Sequence, residues 1–353
     1  MDDREALMWL TLCPSIGPTY RSLLLSHPHP QQAVAQARAK NISGPPYEAM
    51  QTALGLPFVT RYEANYPARL LHLNYPPPLL FYRGNLQPLA DQPTCVTVVG
   101  TRRATPRGRQ LATRFATVLA QAGAVIVSGL ARGIDCAAHW ASLDVANPYP
   151  VAVMACGLDV CYPSENVQLL KQIEARGIVF SEYPPGTPAQ AFHFQQRNRL
   201  LAALAQAVLV IEAPVRSGVM LTVDHALNLG RDVFILPGAL DQPNYEGNLK
   251  LLQEGALLAR TPSDLITQLP GLKVSREFLQ QAPAFPQDWA RRLGLELPET
   301  LARLSHWERQ GQMKRDTQGY FGWSGPCAGL AGGNGLEAGI GGSPVGSKGI
   351  VSN

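Results

Sequence analysis

The chain has 353 residues, 46% of them hydrophobic, and a formal net charge of +4. That length exceeds one ordinary domain and implies about two or three, while so small a positive balance means that a nucleic-acid reading must rest on where the arginines fall. Cys13, Cys95, Cys136, Cys156, Cys161 and Cys327 form no C-x-x-C pair and no Cys/His set with metal-ligand spacing, no apolar run approaches the roughly 18 residues of a membrane span, and the start MDDRE is unlike a secretory signal; reduced thiols, no metal, no cofactor, no membrane and a cytoplasmic location are expected.

Residues 1–60 read as a helical domain. Segments 6–12, 19–25 and 31–39 carry helical apolar spacing and are joined by Pro14-Ser15-Ile16-Gly17-Pro18 and Pro28-His29-Pro30. A helix, an Ile-Gly-Pro turn and a second helix fit a helix-hairpin-helix module, whose turn N–H groups touch a nucleic-acid backbone. They fit a purely structural cap equally well. From 62 to 89 the chain is extended and proline-rich, with one strand at 79–82.

Residues 61–270 then alternate strand and helix. Strands are predicted at 96–99, 125–127, 151–154, 178–181, 207–211, 233–236 and 257–259. Helices are predicted near 106–122, 134–143, 165–175, 195–205, 220–229 and 246–253, with Gly123, Gly177, Gly230 and Gly255 as stops. This beat specifies βαβ units, hence an α/β fold with a doubly wound parallel sheet. The loops that follow the strands all fall on its carboxyl edge, where helix N-termini favour anions.

The stretch VTVVGTRRATPRGRQLATRFATVLAQAGAVIVSGLARGID fixes the ligand class. Arg102, Arg103, Arg107, Arg109, Arg114 and Arg132 occur between Gly100 and Ile134 without one acidic residue. Arg102 and Arg132 sit in strand-to-helix loops, where a guanidinium fork suits phosphate oxygens; Arg107, Arg109 and Arg114 are as well explained by a solvated helix face. Gly100-Thr101-Arg102 lacks the second glycine of a dinucleotide fingerprint, and no Gly-Lys-Ser/Thr is present, so neither NAD nor ATP hydrolysis is supported.

Other loops share that edge. Ser181 to Phe194, SEYPPGTPAQAFHF, ends in Phe192 and Phe194 and runs into Arg197-Asn198-Arg199 at a predicted helix start; rings beside arginines suit an unpaired strand, with one phenylalanine expected in the core and one exposed. Glu212 to Gly218 adds Arg216, Ser217 and Gly218. Glu212 could serve as a general acid or base but lacks a paired carboxylate, and Cys156 lacks the neighbours of a nucleophile and reads as a core thiol. His139, His193 and His225 stand isolated.

A helix at 263–269 closes the region. Residues 272–323 follow the order of a winged helix: helices at 275–281, 287–292 and 299–310, then Met313-Lys314-Arg315, a turn at 316–319 and Tyr320-Phe321. Such a unit enters a DNA groove or docks a partner. The glycine-rich 324–353 has too few bulky residues for a core and is expected to be a disordered tail.

VGTRRATPRGR, SGLARGIDCAAH, GLDVCYPSEN, SEYPPGTP, QQRNRLLAALA, EAPVRSGVMLT and EGNLKLLQEGA occur in the order and spacing of the DNA-processing protein A (DprA, or Smf) family, which residues 62–269 resemble. The resemblance implies a Rossmann-like domain that binds single-stranded DNA at Gly100, Thr101 and Arg102, at Gly129, Leu130, Ala131, Arg132 and Gly133, and at Arg197, Asn198 and Arg199. Arg103, Phe192, Phe194, Ser217 and Gly218 join this set from their loop positions. It further implies a homodimer formed through this domain, and a non-enzymatic mediator that displaces single-strand-binding protein and helps load RecA recombinase on incoming strands in natural transformation. Thr101 stands where serine is common, Gln195-Gln196 where basic or proline residues often precede R-N-R, and Gly247-Asn248 lacks an intervening threonine. The rival readings are a nucleotide-processing enzyme of the phosphoribohydrolase type, although its P-G-G-x-G-T-x-x-E signature is not matched at 212–222, and a pure scaffold with a vestigial pocket.

Overall fold

The central strand β3 (Cys95–Val99) shows how the sheet is built. Its five residues are all buried: Val96 and Val98 enter one apolar cluster with Phe115 and Leu119, while Cys95 and Val99 enter another with Leu201 and Leu204. A strand apolar on both faces must be covered on both. The computed structural model shows that arrangement and describes residues 1–13, 15–17, 29–273, 285–293, 296–310, 313–315, 319 and 321–323. The helices expected at 19–25 and 275–281, most of the 316–319 turn and the tail 324–353 lie outside the described residues.

Beside β3 lie β4 (Val125–Ser128), β5 (Val151–Val153), β6 (Ile178–Ser181), β7 (Ala207–Val210), β8 (Asp232–Ile235) and β9 (Leu257–Leu258). The order β6-β5-β4-β3-β7-β8-β9 is parallel throughout. The chain runs outward from β3 to β6 and then returns to β7 on the other side. The switch point of this doubly wound sheet therefore falls between the β3 and β7 loops. Two strands extend it antiparallel: β2 (Leu79–Gly84) pairs with β6, and β1 (Phe58–Thr60) pairs with β2. A three-residue run such as β1 has no readable alternation, which is why the sequence did not disclose it.

The helices of residues 1–60, among them α1 (Asp3–Leu12), α2 (Pro30–Ala39) and α3 (Tyr47–Leu54), do not make a separate body. Leu7 and Leu10 share one cluster with Leu79, Phe81 and Leu169, and Met1–Val274 form a single compact unit. The expected boundary at residue 60 is thus only a change of element type.

One face of the sheet carries α4 (Pro106–Gln121) and α5 (Ile134–Leu143). The other carries α6 (Ala191–Leu204) and α7 (Val219–Asn228). α6 starts about one turn before the predicted 195, because Phe192 to Phe194 are already helical. Arg197 accordingly lies inside the helix and not at its N-terminus. In the unit Ser275–Asn353, helices α8 (Pro286–Leu293) and α9 (Leu297–Arg309) are followed by the antiparallel pair β10 (Met313–Arg315) and β11 (Phe321–Trp323). Trp289 centres that unit, fully buried and donating Nε1–H to the Phe321 carbonyl at 3.0 Å. Among the described residues no helix is long and apolar enough to cross a membrane.

Candidate nucleic-acid interface

Two loops build the rim. After β3, Gly100 to Ala104 lead to Thr105, whose hydroxyl caps α4 by accepting from the Gly108 N–H at 2.9 Å. Glu212, fully buried at the end of β7, accepts from the Thr105 N–H at 2.9 Å and from its hydroxyl, and its carbonyl accepts from Thr101 N–H at 2.7 Å. The β3 and β7 loops are locked at the switch point in this way. Buried and bonded to Thr105, Glu212 positions the loop. Cys156, also buried, donates to the Val160 carbonyl at 3.0 Å, and burial pushes its thiol up to about 11, in keeping with a core cysteine.

After β4, the loop Gly129 to Gly133 wraps around an internal pair of charges. The buried Asp135 carboxylate accepts from Gly129 N–H at 3.1 Å and from Ala131 N–H at 3.4 Å. Burial raises its pKa, opposed chiefly by the positive charge of Arg197. Arg197 comes from α6 and is only 4% exposed. Its Nη1 donates to the Gly129 carbonyl at 2.6 Å and to the Val153 carbonyl, and its Nε donates to Asn198 Oδ1 at 3.3 Å. Burial holds its pKa down to about 10, so it stays protonated at neutral pH. Gly129 is required for this insertion, since a Cβ there would lie 2.3 Å from Arg197 Nη1. Gly133, at φ +77°, brings the two loops together: a Cβ would lie 2.4 Å from the Thr101 carbonyl oxygen.

The expected site residues therefore separate. Arg102 and Arg103 are exposed and Gly100 and Thr101 partly so. Leu130, at φ +55°, and Ala131 are buried, offering main chain only, whereas Arg132 points to solvent and is paired with Glu165. Arg197, Asn198 and Arg199, expected at a helix start on the rim, are buried and bonded to the interior. Asn198 Nδ2 donates to the Gly218 carbonyl at 3.0 Å, and Arg199 donates to the Tyr75 carbonyl at 2.8 Å and pairs with Glu182. Ser217 is half-buried and accepts from Val219 N–H at 3.3 Å, while Gly218 is exposed.

Neither phenylalanine enters the core. Phe192 is 55% exposed, and Phe194 is half-buried with its ring centroid 4.3 Å from the Arg102 guanidinium carbon and 5.5 Å from the Tyr162 ring. Arg102 makes no ion pair with a carboxylate among the described residues, and its guanidinium lies over the Phe194 ring as a cation–π pair. His193 is not isolated: it stacks on Tyr183 at 4.1 Å. Among the described residues no cluster could hold a metal ion. Sequence reasoning missed Tyr162, Asp135, Glu165 and Asn166 as parts of this rim. Their signal was present in GLDVCYPSEN and GLARGID, but only the fold places the two motifs side by side.

Residues 57–270 match the family model described as DNA recombination-mediator protein A. Protein Smf of Synechocystis sp. is 40% identical over 214 residues, which is 60% of this chain and 54% of that protein, so the match spans about half of that relative. The DNA processing protein A of Streptococcus pneumoniae overlays with a TM-score of 0.61 at 34% identity, covering 70% of this chain and 84% of that one. That of Helicobacter pylori, characterised for its single-stranded DNA binding mode, overlays with 0.55 at 32% identity, covering 61% and 96%. The chain belongs to the DNA recombination-mediator protein A family.

Proposed function

We propose that this chain binds single-stranded DNA along the carboxyl rim of its sheet and acts without covalent chemistry as a recombination mediator in natural transformation. It shields the incoming strand in the cytoplasm, displaces single-strand-binding protein and helps load RecA recombinase, as a homodimer joined through the Rossmann-like domain. The observation that carries this reading is Arg102: an exposed guanidinium with no carboxylate partner among the described residues, 4.3 Å from a half-buried ring, on the loop that opens α4. Phosphate and base are the two groups such a pair serves together. Arg103, Arg132, Phe192 and Phe194, with the main chain of Gly100, Thr101 and Gly129 to Gly133, complete the proposed contact set, and Ser217 and Gly218 lie on the adjoining β7 loop. The single-stranded DNA binding mode of the Helicobacter pylori relative supports the assignment.

The test is anisotropy of a labelled oligo-dT at several salt concentrations. Arg102→Ala is expected to lose about 1.5 kcal/mol, roughly tenfold in affinity, and to flatten the plot of log K against log salt by about 0.7. Binding as tight as the parent's at moderate salt would refute the pocket. Release of free base from nucleoside monophosphates would instead favour a hydrolase.

A further inference from the structure

We propose that Glu165 is a built-in competitor for the phosphate site on the Nε/Nη2 edge of Arg132, and that a bound strand takes this edge only by displacing the carboxylate. The inference rests on the reading of the rim as a single-strand interface. Arg132 Nη2 lies 2.8 Å from Glu165 Oε2, and its Nε pairs with Oε1. Both prongs of the Nε/Nη2 edge of the guanidinium are thus filled by two carboxylate oxygens, the arrangement that two phosphate oxygens would adopt on that edge. Arg102, on the facing loop, carries no such mask among the described residues. Of the two loop arginines, one has no carboxylate against it among the described residues and one is paired with a carboxylate along its Nε/Nη2 edge.

The pair is built to exchange. The two side chains are 59% and 49% exposed, and an ion pair in so much water adds little to stability, so breaking it costs the fold little. The backbones on either side are fixed independently. Asn166, next to Glu165, is buried and donates from Nδ2 to the carbonyls of Leu130 at 2.9 Å and Ala131 at 3.4 Å. Asp135 holds the N–H groups of Gly129 and Ala131 from the other side. Release of Arg132 therefore needs only side-chain rotation, with both loops in place.

The consequence is selectivity. A single phosphate must compete with a carboxylate that is always present, whereas a strand already held at Arg102 presents its next phosphates to Arg132 at high effective concentration. After displacement, Glu165 remains as a negative charge beside the track and limits affinity.

The experiment compares the parent with Glu165→Gln, Arg132→Ala and the double variant, by anisotropy of labelled oligo-dT across a salt series. Glutamine keeps the shape and leaves Arg132 with one weak acceptor. E165Q is expected to tighten binding about two- to fivefold at moderate salt and to steepen the salt dependence by up to about 0.7. In the R132A background the same substitution is expected to give almost no gain. If E165Q binds no more tightly than the parent, the mask is refuted; if it binds more weakly, Glu165 orients Arg132 instead. An equal gain without Arg132 also refutes it, by exposing a general charge effect. A parent that does not bind oligo-dT at low salt overturns the rim reading, whereas a binding parent with an unimproved E165Q overturns the mask alone.

Discussion

Arg197→Met removes a buried guanidinium while keeping much of the stem's volume, and the structure sets the size of its effect. Nη1 serves two buried carbonyls, Gly129 at 2.6 Å and Val153, and each one left unpaired costs about 1–3 kcal/mol. Asp135 also loses the positive charge that opposes its burial. Against this, the variant is relieved of burying a cation, the same burial that holds the arginine down to about 10. The net loss is about 2–4 kcal/mol, and for a unit of this size that lowers the melting temperature by roughly 5–10 °C. Scanning fluorimetry measures the shift. Oligo-dT affinity is expected to fall as the Gly129 to Gly133 loop loosens, but with the parent's salt slope, because no rim charge is removed. An R197M protein that melts within about 1 °C of the parent and shows a flatter slope would refute the brace and make Arg197 a phosphate contact.

Two further perturbations probe the same scaffold. Burial pushes His139 down to about 3, only partly opposed by a hydrogen-bonding contact with the main chain of Ser128. The unfolded chain takes up that proton near pH 6.5 and the folded one does not until about 3. The contribution is therefore whole above about pH 6.5 and lost as pH falls, about 1.4 kcal/mol by about pH 5.5. Urea midpoints at neutral pH and at about pH 5.5 measure it, and His139→Leu is expected to lose that part of the slope. Thr105→Val deletes the cap of α4 and a donor to Glu212, with an expected loss of about 1–2 kcal/mol by thermal melting. Thr105→Ser, which keeps the hydroxyl, is expected to restore the parent's value.

The alternation of short apolar runs with glycine-stopped helices is a local signal, and it was enough to specify the parallel sheet, its carboxyl edge and the loops that meet there. The placement of Arg102 was equally legible, because an exposed arginine after a strand-ending glycine is defined by its immediate neighbours. Burial is a different kind of property. Arg197 and Arg199 look in sequence like Arg102, basic residues near a helix start with aromatics beside them. Their internal roles depend on partners 44 and 68 residues away for Arg197 and 124 residues away for Arg199. Likewise, no spacing rule pairs Arg132 with Glu165, 33 residues on. Sequence alone determined the parallel strands and the helices between them, and which loops carry positive charge, since those follow from neighbouring side chains. Only the packed chain decided which guanidiniums are turned inward to satisfy buried carbonyls and which stay exposed at the rim, since that depends on what distant strands bring within bonding reach.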